Sequence, residues 1–300
     1  MITLFTTTKD FTGIYTTIQM NALKSWRSIS NDIEIIILGD SKGSKEAAEE
    51  VGAEYIPNVK CSDQGTPLLS DLFQQADKKA KYSILTYINA DIILPIIFFD
   101  EVMTASKCFN KFLLIGHRWD MDVDNIIEFE NENEQNNFWE RVRIHSEKHA
   151  CSGIDYFVYK RNQWKKLPDF IIGRSGFDNW LIWKARRRLV PVIDGTESIQ
   201  VVHQNHPWYQ LHHRIKSKHN AMHHSLNKLY KIEGDKNKKL HNGKTLNILD
   251  ASYRLFDGKV MKKKDKESKI RYLHRLPRIF PEIAILIKLY RRFYKRFILI

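Results

Sequence analysis

Apolar, β-branched runs alternate with amphipathic stretches through the first two thirds of the chain. Ile2–Thr8 reads as a first strand, and Phe11–Ser28 as a helix with Ile14, Ile18, Ala22, Leu23 and Trp26 on one face. Ile33–Leu38 (IEIIIL) reads as a second buried strand that stops at Gly39-Asp40. Ser44–Val51 reads as a short polar helix and Glu54–Ile56 as a third strand. A β-α-β-α-β order at such short intervals implies right-handed crossovers, hence an α/β fold with a parallel sheet covered by helices on both faces. The longest bounded run, Tyr82–Leu94, breaks at Asn89-Ala90-Asp91 and then resumes. Runs of this kind are buried strands of a parallel sheet.

Between and after these elements the same alternation continues. Gly65-Thr66-Pro67 opens a helix whose buried stripe is Leu68, Leu69, Leu72, Phe73 and Ala76. Phe98–Lys107 is a further helix, and Phe112–Ile115 a strand that ends in Gly116-His117-Arg118-Trp119-Asp120. Gly153–Tyr159 reads as a strand with Asp155 at its entrance. A turn from Gly173 to Asn179 then leads into a helix over Trp180–Arg187. Leu189–Ile193 and Ser198–Val202 are two more strands, the second delivering His203-Gln204-Asn205-His206.

Polar residues at the carboxyl ends of buried strands are where the chemistry is expected, because ligands of open α/β sheets gather there. Asp91 either faces a bound cation or shapes a turn, as Asn and Asp often do. Asp40 either accepts hydrogen bonds from a ribose or base, or serves as a turn and cap residue. No GxGxxG or Walker loop follows either strand, so phosphates are not cradled by glycines. A divalent cation would do that work. Arg118, Trp119, Asp120 and Asp122 form a loop suited to stacking and hydrogen bonding with a sugar, or an ordinary surface loop. The planar fork of Arg174 suits phosphate oxygens, or a surface ion pair. Asp178 stands at a helix N-terminus, where exposed amides favour a carboxylate.

Charge divides the chain. The net +13 is the sum of +10 over residues 261–300, +7 over 207–260 and −4 over 1–206. A nucleic-acid enzyme carries its basic footprint around its cleft, so no nucleic-acid partner is expected. Three separated cysteines (Cys61, Cys108, Cys151) form no CxxC pair and no disulfide framework, which predicts a reducing, cytoplasmic setting. No signal-peptide pattern and no run of about 20 apolar residues is present. The segments Gly234–Lys244 and Met261–Lys269 read as exposed linkers, and Pro207–Tyr230 as a basic amphipathic helix. His219 and His223 are spaced as on one helical face, yet lack the HExxH or cysteine context of a zinc site. Over residues 281–300, Ile283, Leu286, Ile287, Tyr290, Phe293 and Phe297 oppose Lys288, Arg291, Arg292 and Lys295. That pattern predicts a helix in an anionic membrane interface, or one docked on the protein itself.

The segments FTTTKDF, IEIIILGD, GTPLLSDLF, YINADIIL and HRWDMDV resemble GT-A nucleotide-sugar glycosyltransferases, in a group related to family 2, over roughly residues 2–206. The resemblance implies a GT-A catalytic domain at 1–206, with a mostly parallel central sheet flanked by helices. A basic, mainly helical extension at 207–300 lies outside it. It further implies a sugar donor bound through Thr7, Asp40, Asn89, Asp91 and Arg174, and Mn²⁺ or Mg²⁺ held by Asp91 with His203 or His206. Asn89 stands where the family has the first acid of its metal motif. Asp178 falls where inverting members place the general base. Arg118, Trp119, Asp120, Asp122, Asp155 and Trp180 are assigned to the acceptor side. The expected activity is transfer of a sugar to a hydroxyl of a glycan or lipid-linked acceptor, peripherally on a cytoplasmic membrane face. Two other classes stand beside it: a nucleotidyltransferase, and a non-catalytic basic adaptor. The first would need a glycine-rich loop after the first strand, where this chain has Thr7-Thr8-Lys9-Asp10.

Overall fold

In the computed structural model, residues 1–206, 221–264 and 266–286 are described, with the backbone alone at 221–229 and 266–269. Among the described residues nine strands form the central sheet, in the spatial order β13 (Lys259–Lys262), β12 (Tyr253–Phe256), β10 (Val192–Asp194), β6 (Leu113–Ile115), β9 (Tyr156–Lys160), β4 (Ile84–Ile88), β1 (Ile2–Thr6), β2 (Ile33–Leu38) and β3 (Glu54–Ile56). Its first half comprises β1 (Ile2–Thr6), β2 (Ile33–Leu38), β3 (Glu54–Ile56) and β4 (Ile84–Ile88), all mutually parallel. Every residue of β2 is buried, because helices cover both faces. Alternate residues feed different layers. Phe5, Ile36 and Leu38 join one core with α3 (Leu69–Lys79) and α6 (Phe177–Arg187). Ile2, Leu4, Ile35 and Ile37 join the other with α1 (Ile14–Ile29), α2 (Ser44–Glu50) and α4 (Phe98–Cys108). The sheet is therefore mostly parallel and flanked by helices, with one central exception: β9 (Tyr156–Lys160) runs antiparallel to both β4 and β6 (Leu113–Ile115).

The break in the Tyr82–Leu94 run has a structural cause. After β4 the chain leaves the central sheet, and Ile92–Ile93 (β5) enters a second sheet in the order β5-β11-β7-β8. Asp91 occupies the crossing between the two. The expected polar loop at Arg118–Asp120 is instead a strand, β7 (Arg118–Met121), which lies parallel to β11 (Val201–Gln204) and antiparallel to β8 (Glu147–Lys148). Its α5 cover (Glu132–His145) is fixed by the Asn131 side chain, which caps the amides of Asn133 and Glu134.

The region after 206 departs most from the linear reading. Gly234–Lys244 is not a linker: most of it belongs to a helix, α7 (Ala221–His241), that packs its buried Glu233 and Asn237 on the body. Asn237 closes the edge by accepting from the Ile171 amide at 2.8 Å and donating to the Ile171 carbonyl at 3.0 Å. Strands β12 (Tyr253–Phe256) and β13 (Lys259–Lys262) form a hairpin that extends the central sheet beyond β10 (Val192–Asp194). Met261 and Lys262 are thus strand, and Lys266 begins α8 (Lys266–Ile279), whose Ile279 is in the core. The sequence concealed the hairpin because Lys259 and Lys262 interrupt its alternation. Of the supposed interfacial helix, residues 281–286 are helical with Ile285 and Leu286 exposed, and 287–300 lie outside the described residues. So do residues 207–220, which include His219, and the side chain of His223.

Candidate active site

The site forms where the carboxyl edge of the central sheet meets the second sheet. Register places it: β1 lies between β2 and β4, so Thr7, Gly39-Asp40 and Asn89 emerge side by side. In the second sheet His203 pairs with Ile92 on one side and Asp120 on the other. Asp91, the neighbour of Ile92, is thereby brought against His203.

Three donor groups converge here. The Asp91 Oδ2 lies 3.6 Å from His203 Nε2 and 3.4 Å from His206 Nε2. One ligand atom from each residue fits within a 4.8 Å span. Sequence alone left His203 and His206 as alternatives; the fold brings both. The other Asp91 oxygen, Oδ1, is buried without a hydrogen-bond partner among the described residues, as is Thr7 Oγ1. A buried, unsatisfied carboxylate oxygen is costly, and a cation in this cradle would satisfy it.

Behind these groups lies a charge relay that holds them in place. His203 Nδ1 sits 3.0 Å from Asp120 Oδ1, which leaves Nε2 directed at Asp91. A carboxylate behind a ligating imidazole fixes its orientation in this way. Arg118 Nε forms an ion pair with Asp120 Oδ1 at 2.9 Å, and His149 Nδ1 hydrogen-bonds Asp120 Oδ2 at 2.5 Å. Arg118 Nη1 reaches Asp155 Oδ2 at 3.0 Å, and Asn89 Nδ2 donates to Asp155 Oδ1 at 2.6 Å. Opposite charges set this close offset part of one another's desolvation. Burial opposes the charge on Asp120, but His203, Arg118 and His149 outweigh it and hold its carboxyl at about 2. Burial likewise opposes a charged His203, and Asp91 and Asp120 raise it to about 9. Asp91 is pushed well below the carboxylate range, its burial being overcome by the two histidines. A metal ion would therefore displace protons as it binds.

Asn89, standing where a metal motif would have its first acid, commits its side-chain nitrogen to Asp155. It anchors Asp155, and its amide also donates to the Asp155 carbonyl at 3.0 Å. Arg118, Asp120 and Asp155, expected on an acceptor surface, are committed to one another beneath the metal cradle. Trp180 is a clear correction: at 5% exposure it packs between Phe170 and Trp183 in the core, because α6 starts at Phe177 and turns it inward. Trp119 is half-buried under the Lys148 ammonium at 5.6 Å. Asp122 is exposed and accepts from Asn205 Nδ2 at 2.9 Å, tying down the strand end that carries His203 and His206. Asp40 is exposed on the same edge and accepts from the Tyr55 hydroxyl at 2.5 Å, which pushes that phenol up to about 12.

Two cationic groups overlook the cradle. Lys9, which sequence reasoning passed over, directly follows the Thr6–Thr8 run that ends β1 and lies 4.5 Å over the Tyr15 ring. Desolvation lowers its pKa, Asp91 opposes that, and the nearby charge of Arg174 adds to it. Arg174 pairs with buried Glu233 at 2.6 Å and stacks on Tyr230 at 4.2 Å, so α7 positions it. Asp178 lies in the first turn of α6, as its helix-start signal suggested. Its carboxyl is pushed up to about 6, first by burial and further by Asp155, against the amides of Asn179, Gly176 and its own backbone. Gly176 caps this turn at φ 108, and a Cβ there would stand 2.6 Å from the His241 ring at the end of α7, so a side chain at this position would be strained and would displace that ring.

No protein-family model matches the chain, and no curated protein matches it. Solved structures do. Glucosyl-3-phosphoglycerate synthase from Mycobacterium tuberculosis, in complex with Mn²⁺, uridine diphosphate and glucosyl-3-phosphoglycerate, aligns over 70% of this chain and 74% of its own. The TM-score is 0.44 and the identity 14%. Residues 1–349 of S. aureus TarS align at TM-score 0.45 and 9% identity, over 68% and 60% of the two chains.

Proposed function

We propose that the protein is a GT-A glycosyltransferase that moves a sugar from a nucleoside-diphosphate donor to an acceptor hydroxyl, assisted by a divalent metal. The observation that carries this reading is the convergence of Asp91, His203 and His206 at the carboxyl edge of the sheet, beside Lys9 and Arg174. One carboxylate and two imidazoles suit Mn²⁺ better than Mg²⁺, which prefers oxygen donors. When bound, the metal supplies charge neutralisation for the departing diphosphate. Asp91, His203 and His206 would hold it, while Asp120 keeps His203 Nε2 forward. Lys9 and Arg174 add positive charge where the diphosphate leaves. Asp40 and Thr7, on the adjacent strand ends, are placed for the nucleoside.

Asp178 takes the role of general base. Its raised pKa makes it a better proton acceptor than an ordinary aspartate and leaves it ionised at neutral pH. A single base that deprotonates the attacking hydroxyl fits direct displacement and inversion at the anomeric carbon. The acceptor is a glycan or lipid-linked hydroxyl reached past Trp119 and Asp122. The nucleotidyltransferase alternative finds no glycine in the turn after β1, where Thr7, Thr8 and Lys9 stand. Among the described residues no helix is long and apolar enough to cross a membrane. Peripheral action at a cytoplasmic membrane face is part of the same proposal.

Hydrolysis of UDP- and GDP-sugars with Mn²⁺, measured as nucleoside diphosphate release, tests the reading. Wild type should turn over at least one donor, and Asp91→Ala should not while keeping its circular dichroism spectrum. Release of pyrophosphate from a nucleoside triphosphate instead would overturn it.

A further inference from the structure

The opposite, amino edge of the central sheet carries a second concavity. It has a volume of about 500 Å³ and lies between the end of α6, the entry to β10, the β12–β13 hairpin and α8. Arg186, Lys262, Lys263, Lys264, Arg271 and Arg275 line it, and Asp250 is the one carboxylate among the described lining residues. Two of the guanidinium groups are held in place: Arg271 and Arg275 approach Asp250 Oδ1 at 3.0 and 3.6 Å, and Arg271 also donates to Asn247 Oδ1 at 3.0 Å. Both keep further N–H donors. Lys263 is neutralised by Asp194 at 3.0 Å. Arg186 lies over the Tyr272 ring at 4.8 Å, and its buried Nε has no hydrogen-bond partner among the described residues. Lys262 and Lys264 are exposed at the mouth.

Two leucines of the lining stand in solvent: Leu189 is 76% exposed and Leu249 45%. Leu189 also adopts φ 57, a left-handed conformation that favours glycine or asparagine. A large apolar side chain held in solvent at a strained position gains nothing from this fold. Beyond it, Ile285 and Leu286 are exposed as well. A soluble phosphorylated ligand would explain the cations but not the leucines; a lipid surface explains both.

We propose that this pocket receives the phosphate of an anionic lipid headgroup, with Leu189 and Leu249 entering the interfacial layer around it. The site is separate from the Asp91 cradle and leaves that edge of the sheet open. Its existence does not depend on the reaction proposed above.

Flotation of the full chain with phosphatidylcholine vesicles, with and without phosphatidylserine, tests the assignment. Binding should require phosphatidylserine and fall roughly tenfold or more in Lys262→Glu/Lys264→Glu. Leu189→Gly should weaken vesicle binding without lowering the melting temperature. Lys78→Glu/Lys107→Glu, which removes the same charge from exposed sites elsewhere, should leave most of the binding intact. Equal loss in both double variants would show only a net-charge effect and overturn the proposal, as would unchanged binding in Lys262→Glu/Lys264→Glu. Thermal stabilisation by inorganic phosphate in a chain that ignores vesicles would assign the pocket to a soluble phosphoryl ligand and likewise overturn the lipid assignment.

Discussion

The two edges of the central sheet handle charge in opposite ways. At the carboxyl edge Asp91, Asp120 and Asp155 alternate with His203, His149 and Arg118, so each buried charge faces its opposite. At the amino edge six cations line one pocket, where Arg271 and Arg275 share Asp250 and Lys263 pairs with Asp194. Balanced charge in a buried cluster preorganises a site: side chains are locked before any ligand arrives, and Asp91 Oδ1 is left unsatisfied beside them. Unbalanced charge at an exposed mouth attracts an anion from a distance but holds it loosely and is screened by salt. The first arrangement suits chemistry, the second suits docking.

The comparison breaks most sharply at Asp91. Removing its carboxylate should abolish measurable Mn²⁺ binding by calorimetry and lower donor turnover by roughly 10³-fold, since transition-state charge stabilisation is commonly worth that much. The same change should leave flotation with phosphatidylserine vesicles untouched. Loss of both together would mean that the two edges are not independent.

Asp178→Asn comes next, with an expected loss in kcat of about 10²- to 10⁴-fold, the usual weight of a general base. Its pH behaviour distinguishes it from a structural residue. Wild-type turnover should rise with pH through about 6 as the carboxyl ionises, and the variant should lack that limb. Stability carries the opposite sign. The folded-state pKa is raised above the ordinary 3.8, so the folded chain holds this proton more tightly than the unfolded chain does. The Asp178 contribution is therefore present at low pH and lost as pH rises from about 4 through about 6. Denaturant titrations of wild type and variant across that window should diverge as pH rises, with the variant gaining.

Asp120→Asn sharpens the claim that the cluster is preorganised. Asp120 does not reach the proposed metal position; it holds His203 from behind. A change there should weaken Mn²⁺ affinity by roughly 10- to 100-fold while sparing saturating turnover more than Asp91→Ala does. An unchanged affinity would remove Asp120 from the supporting shell.

How much of this was legible in the chain depends on whether the signal was local. The parallel strands β1, β2 and β4 announced themselves through β-branched runs, and the acids at strand ends through position alone. The Asp178 helix start was visible for the same reason. What escaped was anything made by pairing distant segments. Asp120 meets His203 only because β7 and β11 align, and no spacing in the sequence records that register. Arg118 and Asp155 read as loop and strand-entrance polar groups until β7 buried them against each other. Trp180 read as accessible because the helix was started three residues late, at Trp180 and not at Phe177, which hid the inward face. The C-terminal third was misjudged for a compositional reason: lysine-rich stretches look solvated, yet long lysine stems can border a strand or pocket while the charge stays wet.

The smallest effect tests the amino edge from within the fold. Leu189 occupies a left-handed turn after α6, its amide bonded to the Arg186 carbonyl at 3.1 Å, with its side chain in solvent. Glycine would relieve about 1–2 kcal/mol of backbone strain there. It would also lose about 0.5–1 kcal/mol through greater freedom of the unfolded chain. The net expectation for Leu189→Gly is a gain of about 0.5–1 kcal/mol, read as a higher denaturant midpoint at unchanged slope. A fall in the midpoint would mean that this leucine serves packing, and the exposed rim would lose its reason to be apolar. A rise, with vesicle binding reduced in the same protein, would show that the chain gives up stability at one edge to hold an apolar contact for something outside itself.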